Sequence, residues 1–167
     1  PKNQWRLAGA MKDMDTAQLR AALPGRVSFE YQGSGEGYGG GEDLGAEFRN
    51  LTGRVRGAAA RGSGKIQRRG ADWHFDQIRL AAGGLGLDLD GVIGPSARDL
   101  KFNVVASDLA ILAPGSRGKL RASGSWRGPN SEPVIALQAS GRDLLYGSLQ
   151  VAQIDAKVDL DPRARRN

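Results

Sequence analysis

Apolar side chains in this chain recur on every second position. In residues 118–161, Leu120, Ala122, Gly124 and Trp126 alternate with Lys119, Arg121, Ser123, Ser125 and Arg127. Side chains of a strand point alternately to the two faces of a sheet, so this spacing gathers small and apolar groups on one face and charge on the other. After the turn-forming GPNSEP at 128–133, Ile135, Leu137 and Ala139 repeat the pattern, as do Leu149 with Val151 and then Ile154, Ala156, Val158 and Leu160. The parity slips between Val151 and Ile154, which predicts a β-bulge. Three one-faced strands in succession make a β-meander.

The same unit recurs upstream. Trp5, Leu7, Gly9 and Met11 alternate, and so do Val27, Phe29 and Tyr31; Phe48, Leu51 and Val55 mark weaker strands running on to Arg69. Trp73 and Phe75 share one phase and Ile78 and Leu80 the other, predicting a second bulge near Asp76 and Gln77. Leu85, Leu87, Leu89 and Ile93 form one further run, and Leu100, Phe102, Val104 and Ala106 the cleanest of all. Two segments break the period: DTAQLRAALPG at 15–25 and DLAILAPG at 108–115. In the first, Asp15 or Thr16 is a good N-cap, Ala17 to Leu23 are helix formers and Pro24-Gly25 is a stop, so a helix of one or two turns is expected. Both segments precede a fresh amphipathic strand, at an offset of about ninety residues. Such self-similarity predicts a solenoid-like array whose units pack on their neighbours. Residues 1–167 are accordingly read as a single segment of a longer repetitive β array, with sub-units of approximately 1–107 and 108–161 and a basic tail at 162–167. Roughly ten strands at ~4.8 Å spacing give a sheet about 50 Å long.

Composition sharpens this reading. Twenty-five glycines and only 6% aromatic residues argue against a bulky globular core, although 40% of the chain is hydrophobic. Small inward residues let a sheet curl sharply on itself. Roughly twenty apolar side chains at ~1.5 to 3 kcal/mol each cannot be left in water, so the curled face must close on itself or hold something apolar. An outer-membrane barrel shares the alternation but carries two aromatic girdles, for which this chain has too few aromatic residues. No apolar run is long enough to cross a bilayer as a helix and no signal peptide is visible, so the chain reads as a soluble piece of something longer. Cysteine is absent, which excludes disulfides and thiolate metal sites. The net charge of +6 favours acidic partners without choosing among them.

Candidate chemistry is sparse. GEGYGG at 35–40 matches a dinucleotide-binding pattern, but that pattern must open a helix and here a strand follows. Lys65 and Lys119 each follow a glycine without the remaining residues of a P-loop. His74 is the only histidine; with Asp72 and Asp76 it falls on the solvated phase opposite Trp73 and Phe75, so neither a metal site nor any other cofactor is expected. Asp88 and Asp90 are read as an outer strand face rather than a catalytic pair, and Asn50-Leu51-Thr52 is a glycosylation sequon by pattern only. The arginines lack the interleaved exposed aromatics that stack bases, so nucleic acid is not an expected partner. A hydrolase would need a pocket with a perturbed carboxylate or histidine, and no such constellation is visible.

The glycine-rich alternating strands, the punctuation at 108–115, and the phrases LTGRVRG at 51–57, LDLDG at 87–91 and GSWRG at 124–128 resemble the periplasmic β-repeat region of the TamB family of translocation and assembly module subunits. That family sits within the AsmA-like, bridge-like lipid-transfer group. The resemblance implies an all-β, elongated and curved "β-taco" sheet, U-shaped, with an apolar inner groove and one or two short linking helices. It also implies a periplasmic location, a parent protein anchored in the inner membrane of a Gram-negative bacterium, and an Omp85-class, TamA-like outer-membrane partner engaged through a region outside this chain. On this reading the chain is a non-enzymatic bridge whose groove shields phospholipid acyl chains in transit between membranes, with a link to outer-membrane protein assembly. The expected groove lining is Val27, Phe29, Tyr31, Trp73, Phe75, Leu85, Leu87, Leu89, Leu100, Phe102, Val104, Leu120, Trp126, Ile135, Leu137, Leu149, Val151, Ile154 and Val158. The competing expectation is a structural β-sandwich that binds a partner protein or a nascent outer-membrane β-strand.

Overall fold

The computed structural model describes residues 3–18, 21–36, 43–95, 98–111, 115–129 and 132–161. Most of the glycine-rich loop at 37–42, part of the second punctuating segment (112–114) and the basic tail at 162–167 lie outside the described residues. The alternating runs form ten strands: β1 (Gln4–Asp15), β2 (Gly25–Glu36), β3 (Asp43–Val55), β4 (Ala58–Arg69), β5 (Asp72–Ala82), β6 (Leu85–Ile93), β7 (Arg98–Ala106), β8 (Arg117–Arg127), β9 (Val134–Tyr146) and β10 (Leu149–Leu160). They pair antiparallel in sequence order, each with its chain neighbour, into one sheet. The sheet is curved and does not close, so β1 and β10 are its two edges. There is one sheet and not the two of a sandwich.

Short turns keep successive strands adjacent. Between β5 and β6 the connection is Gly83-Gly84, both at positive φ (53° and 84°), the geometry of a two-residue hairpin whose twist matches the strands. The two punctuating segments join β1 to β2 and β7 to β8 at the same end of the sheet. Among the described residues each contains one 3₁₀ turn, η1 (Thr16–Gln18) and η2 (Leu109–Ile111). Both are capped alike: Asp15 accepts the N–H of Ala17 at 2.9 Å and Asp108 that of Ala110 at 3.0 Å. Of the helix expected over 15–23 the described residues form η1, residues 19–20 lie outside the described residues, and the segment is held at both ends. Asp15 is paired with Arg26, and the Thr16 hydroxyl donates to the Leu23 carbonyl at 2.6 Å.

Bulges fall on four odd-numbered strands, β1, β3, β5 and β9, but not on β7. Asp13 in β1, Asn50 in β3, Gln77 in β5 and Asp143 in β9 have φ of 51°, 53°, 48° and 53°. Each lies within an i, i+3 step between inner-face residues: Met11 to Met14, Phe48 to Leu51, Phe75 to Ile78 and Gly141 to Leu144. The extra residue restores the apolar phase and bends the strand. The slip predicted near Gln77 is this kind of bulge. Between Val151 and Ile154 the finding differs: β9 and β10 hold one register throughout, with Leu144 opposite Val151 and Gly141 opposite Ile154. Both strands change phase opposite each other, so the pair loses no ladder bonds to a two-against-one mismatch.

Candidate functional groove

Paired residues share a face, so the registers can be followed across the whole sheet. One row runs Leu7, Gly33, Ala46, Ile66, Phe75, Gly91, Leu100, Trp126, Ile135, Leu160, one residue per strand. Another, nearer the 3₁₀ turns, runs Met14, Val27, Gly53, Ala60, Ala82, Leu85, Ala106, Leu120, Gly141, Ile154. Between them lie rows containing Phe29 and Tyr31, Leu87 with Val104, and Leu89 with Phe102, Gly124, Leu137 and Val158. The face is apolar from edge to edge.

Glycines alternate with bulky residues along these rows. A Cβ on Gly124 would stand 3.0 Å from the Phe102 ring, and one on Gly64 would meet Ile78 Cδ1 at 2.4 Å. Large side chains therefore lie down over the neighbouring strand instead of standing into the space above the sheet.

Burial agrees with an uncovered face. Among the described residues no large side chain falls below 2% exposure. At the edges Leu7 on β1 is 47% exposed and Val158 and Leu160 on β10 are each 45% exposed. The best-buried residues gather at the 3₁₀ end, where η2 buries Leu109 and Ile111 together with the inner-face alanines Ala60 and Ala106. Ile111 Cδ1 lies 3.1 Å from the point where a Cβ on Gly83 would stand. One rim of the face is thus packed, and the opposite rim is not.

That opposite rim carries different chemistry. Its outermost row runs Trp5, Gly35, Leu44, Arg68, Trp73, Ile93, Arg98 from β1 to β7. Trp126, one row further in, lies under the Arg98 guanidinium, 4.2 Å from ring centroid to Cζ. Arg68 and Arg98 correct the expectation that charge faces only outward. The signal was present: Arg68 is in phase with Ile66, and Arg98 with Leu100 and Phe102.

The registers put every expected lining residue from Val27 to Val158 on this face, with Leu149 at its margin. Leu149 faces Tyr146 across the β9–β10 turn, and the two are 63% and 67% exposed. Sequence reading passed over Trp5, Leu7, Met14, Ile66, Leu80 and Leu144 as lining residues. The last is found only once the Asp143 bulge is known.

The outer face is polar, and opposite charges stand across from one another in register, for example Arg79 opposite Asp88 and Asp90 opposite Lys101. Arg49 there is held above its ordinary pKa by the hydrogen bond and charge of Glu47, so it stays cationic. Bulge backbones also borrow outer-face acceptors: Gln77 N–H donates to Asp90 at 3.1 Å and Asp13 N–H to Ser28 Oγ at 3.0 Å. His74, opposite Gln67 and Val92, is on this face, and among the described residues no three His, Asp or Glu side chains come together as a metal site. No helix among them is long and apolar enough to cross a membrane.

A one-sided, unclosed antiparallel meander of this kind defines an extended all-β module with one apolar face. The chain belongs to the TamB family, whose model described as "TamB, N-terminal domain" matches residues 2–166. No curated protein and no solved structure gives a significant match. The family consists of periplasm-spanning structural and transport modules, with roles in outer-membrane assembly or lipid transport and a TamA-like partner.

Proposed function

We propose that this chain is a non-enzymatic periplasmic bridge segment whose inner face shields phospholipid acyl chains as they pass between the inner and outer membranes. The observation that carries this reading is the apolar face itself: it continues from β1 to β10, yet buries no large side chain completely among the described residues. An apolar surface of that extent is costly in water and is stabilised by apolar matter lying on it. Charge on the outer face keeps the wall hydrated. The two punctuated sub-units, 1–107 and 108–161, are proposed as successive lengths of the same wall.

The experiment is photo-crosslinking with the probe at Phe102 or Leu137, compared with Lys101 or Gln138 on the other face. Phospholipid adducts concentrated at the first pair are expected; equal yields at both pairs reject the groove. A second reading, capture of a nascent outer-membrane strand, has one observation in its favour. The edge strands β1 and β10 pair on one side only, and an unpaired edge can accept another strand. It would show as peptide adducts at the edges with no lipid at Phe102.

A further inference from the structure

Among the described strand residues, every inner-face position is apolar, glycine or tyrosine except two, Arg68 and Arg98. Both lie in the outermost row of one rim, and both stand beside tryptophan: Arg68 is paired with Trp73, and Arg98 stacks on Trp126. Trp5 completes the set, so all three tryptophans of the chain meet the inner face at this rim. On the inner face of the opposite rim the described residues are Gly25, Val55 and Ala58 beside the buried η2 turn, and the nearest described cation, Arg56 in the β3–β4 turn, donates to the Ala22 carbonyl. Tryptophan and arginine, each with an apolar body and a polar tip, favour the level at which hydrocarbon gives way to headgroup.

A second observation points to an anion. Arg98 Nε and Trp126 Nε1 are both screened from solvent, and neither has a hydrogen-bond partner among the described residues. Both can only donate. Buried donors are normally satisfied, and a guanidinium fork matches phosphate oxygens.

We infer that this rim is a headgroup rail: Arg98 with Trp126, and Arg68 with Trp73, each hold the phosphate of a phospholipid whose acyl chains lie on the apolar rows further in. The inference rests on the acyl-chain reading above and adds polarity to it, since lipids would sit with headgroups towards one rim only. Three strand spacings, about 14 Å at ~4.8 Å each, separate the two arginines, which leaves room for one phosphate at each.

The test titrates this chain with dioctanoylphosphatidylglycerol, with dioctanoylglycerol and with inorganic phosphate, following tryptophan fluorescence. Wild-type protein is expected to prefer the phospholipid over the diacylglycerol by roughly tenfold, as loss of a charge-assisted bond implies. Arg98→Gln should lower that ratio towards one, Arg68→Gln should lower it in part, and Lys101→Gln on the outer face should leave it unchanged. Because the readout is a ratio, a variant that only weakens the fold keeps the preference. A wild-type ratio near one overturns the rail but leaves the groove standing, as does a ratio that survives both arginine changes. Binding of inorganic phosphate as tight as that of the phospholipid would mean a free-anion site and also overturns it. Failure of both amphiphiles to bind removes the groove and the rail together.

Discussion

Phe102 rests on Gly124, and much of the trough's shape follows from such contacts. Any side chain at Gly124 must lift the ring into the open space, because the Ala136 carbonyl, 2.6 Å from the Cβ position, leaves no room beneath it. Gly124→Val is therefore expected to cost about 1–3 kcal/mol, read as a lower urea midpoint with an unchanged slope. Asn50 shows the opposite kind of constraint. Its φ of 53° suits Asn or Gly and strains a β-branched residue. Asn50→Val should destabilise by about 1–2 kcal/mol and Asn50→Gly by less than about 0.5 kcal/mol in the same assay. The sequence marks Gly124 as an inner-phase residue and Asn50 as part of a sequon, but not the contact or the φ that constrains them. Arg98 was legible in principle, from its phase with Leu100, but its stacking partner lies 28 residues away, on a different strand.

At the scale of elements, η1 and η2 show how one motif can be used twice with different weight. Both have the same aspartate cap, but η2 buries Leu109 and Ile111 whereas η1 buries nothing. Asp108→Ala is expected to cost about 1 kcal/mol and Ile111→Ala about 2–4 kcal/mol, while Asp15→Ala should fall below its Asp108 counterpart; thermal unfolding of the three variants checks the order. The strands themselves were plain from alternation, because the side-chain period of a strand is local. The bulge near Gln77 was plain too, since it leaves an apolar phase change in a single run. The bulges at Asp13 and Asn50 were not, because i, i+3 spacing alone also suits a helix or a turn. Only pairing with β2 and β4 shows which residue is the extra one.

At the scale of the whole molecule, the sheet has two free edges and a face without a lid. Backbone amides of β1 and β10 are expected to exchange with deuterium before those of β5 and β6, which are paired on both sides. An environment-sensitive apolar dye should bind the native chain and be displaced by phospholipid; a native state that leaves the dye dark would count against an open trough. By itself the sequence determined the all-β class, the one-sided strands and most of the inner-face residues, because alternation acts between neighbours along the chain. It also carried the family resemblance. Tertiary structure alone decided that the rows align across ten strands, that β1, β3 and β9 bulge as β5 does, and that η2 packs one rim. It alone brought Trp5, Arg68, Trp73, Arg98 and Trp126 to the other rim. The physical reason is register: hydrogen-bonded pairing joins residues far apart in the chain, and a shift of one residue in any strand would send its inner-face side chains to the solvent side.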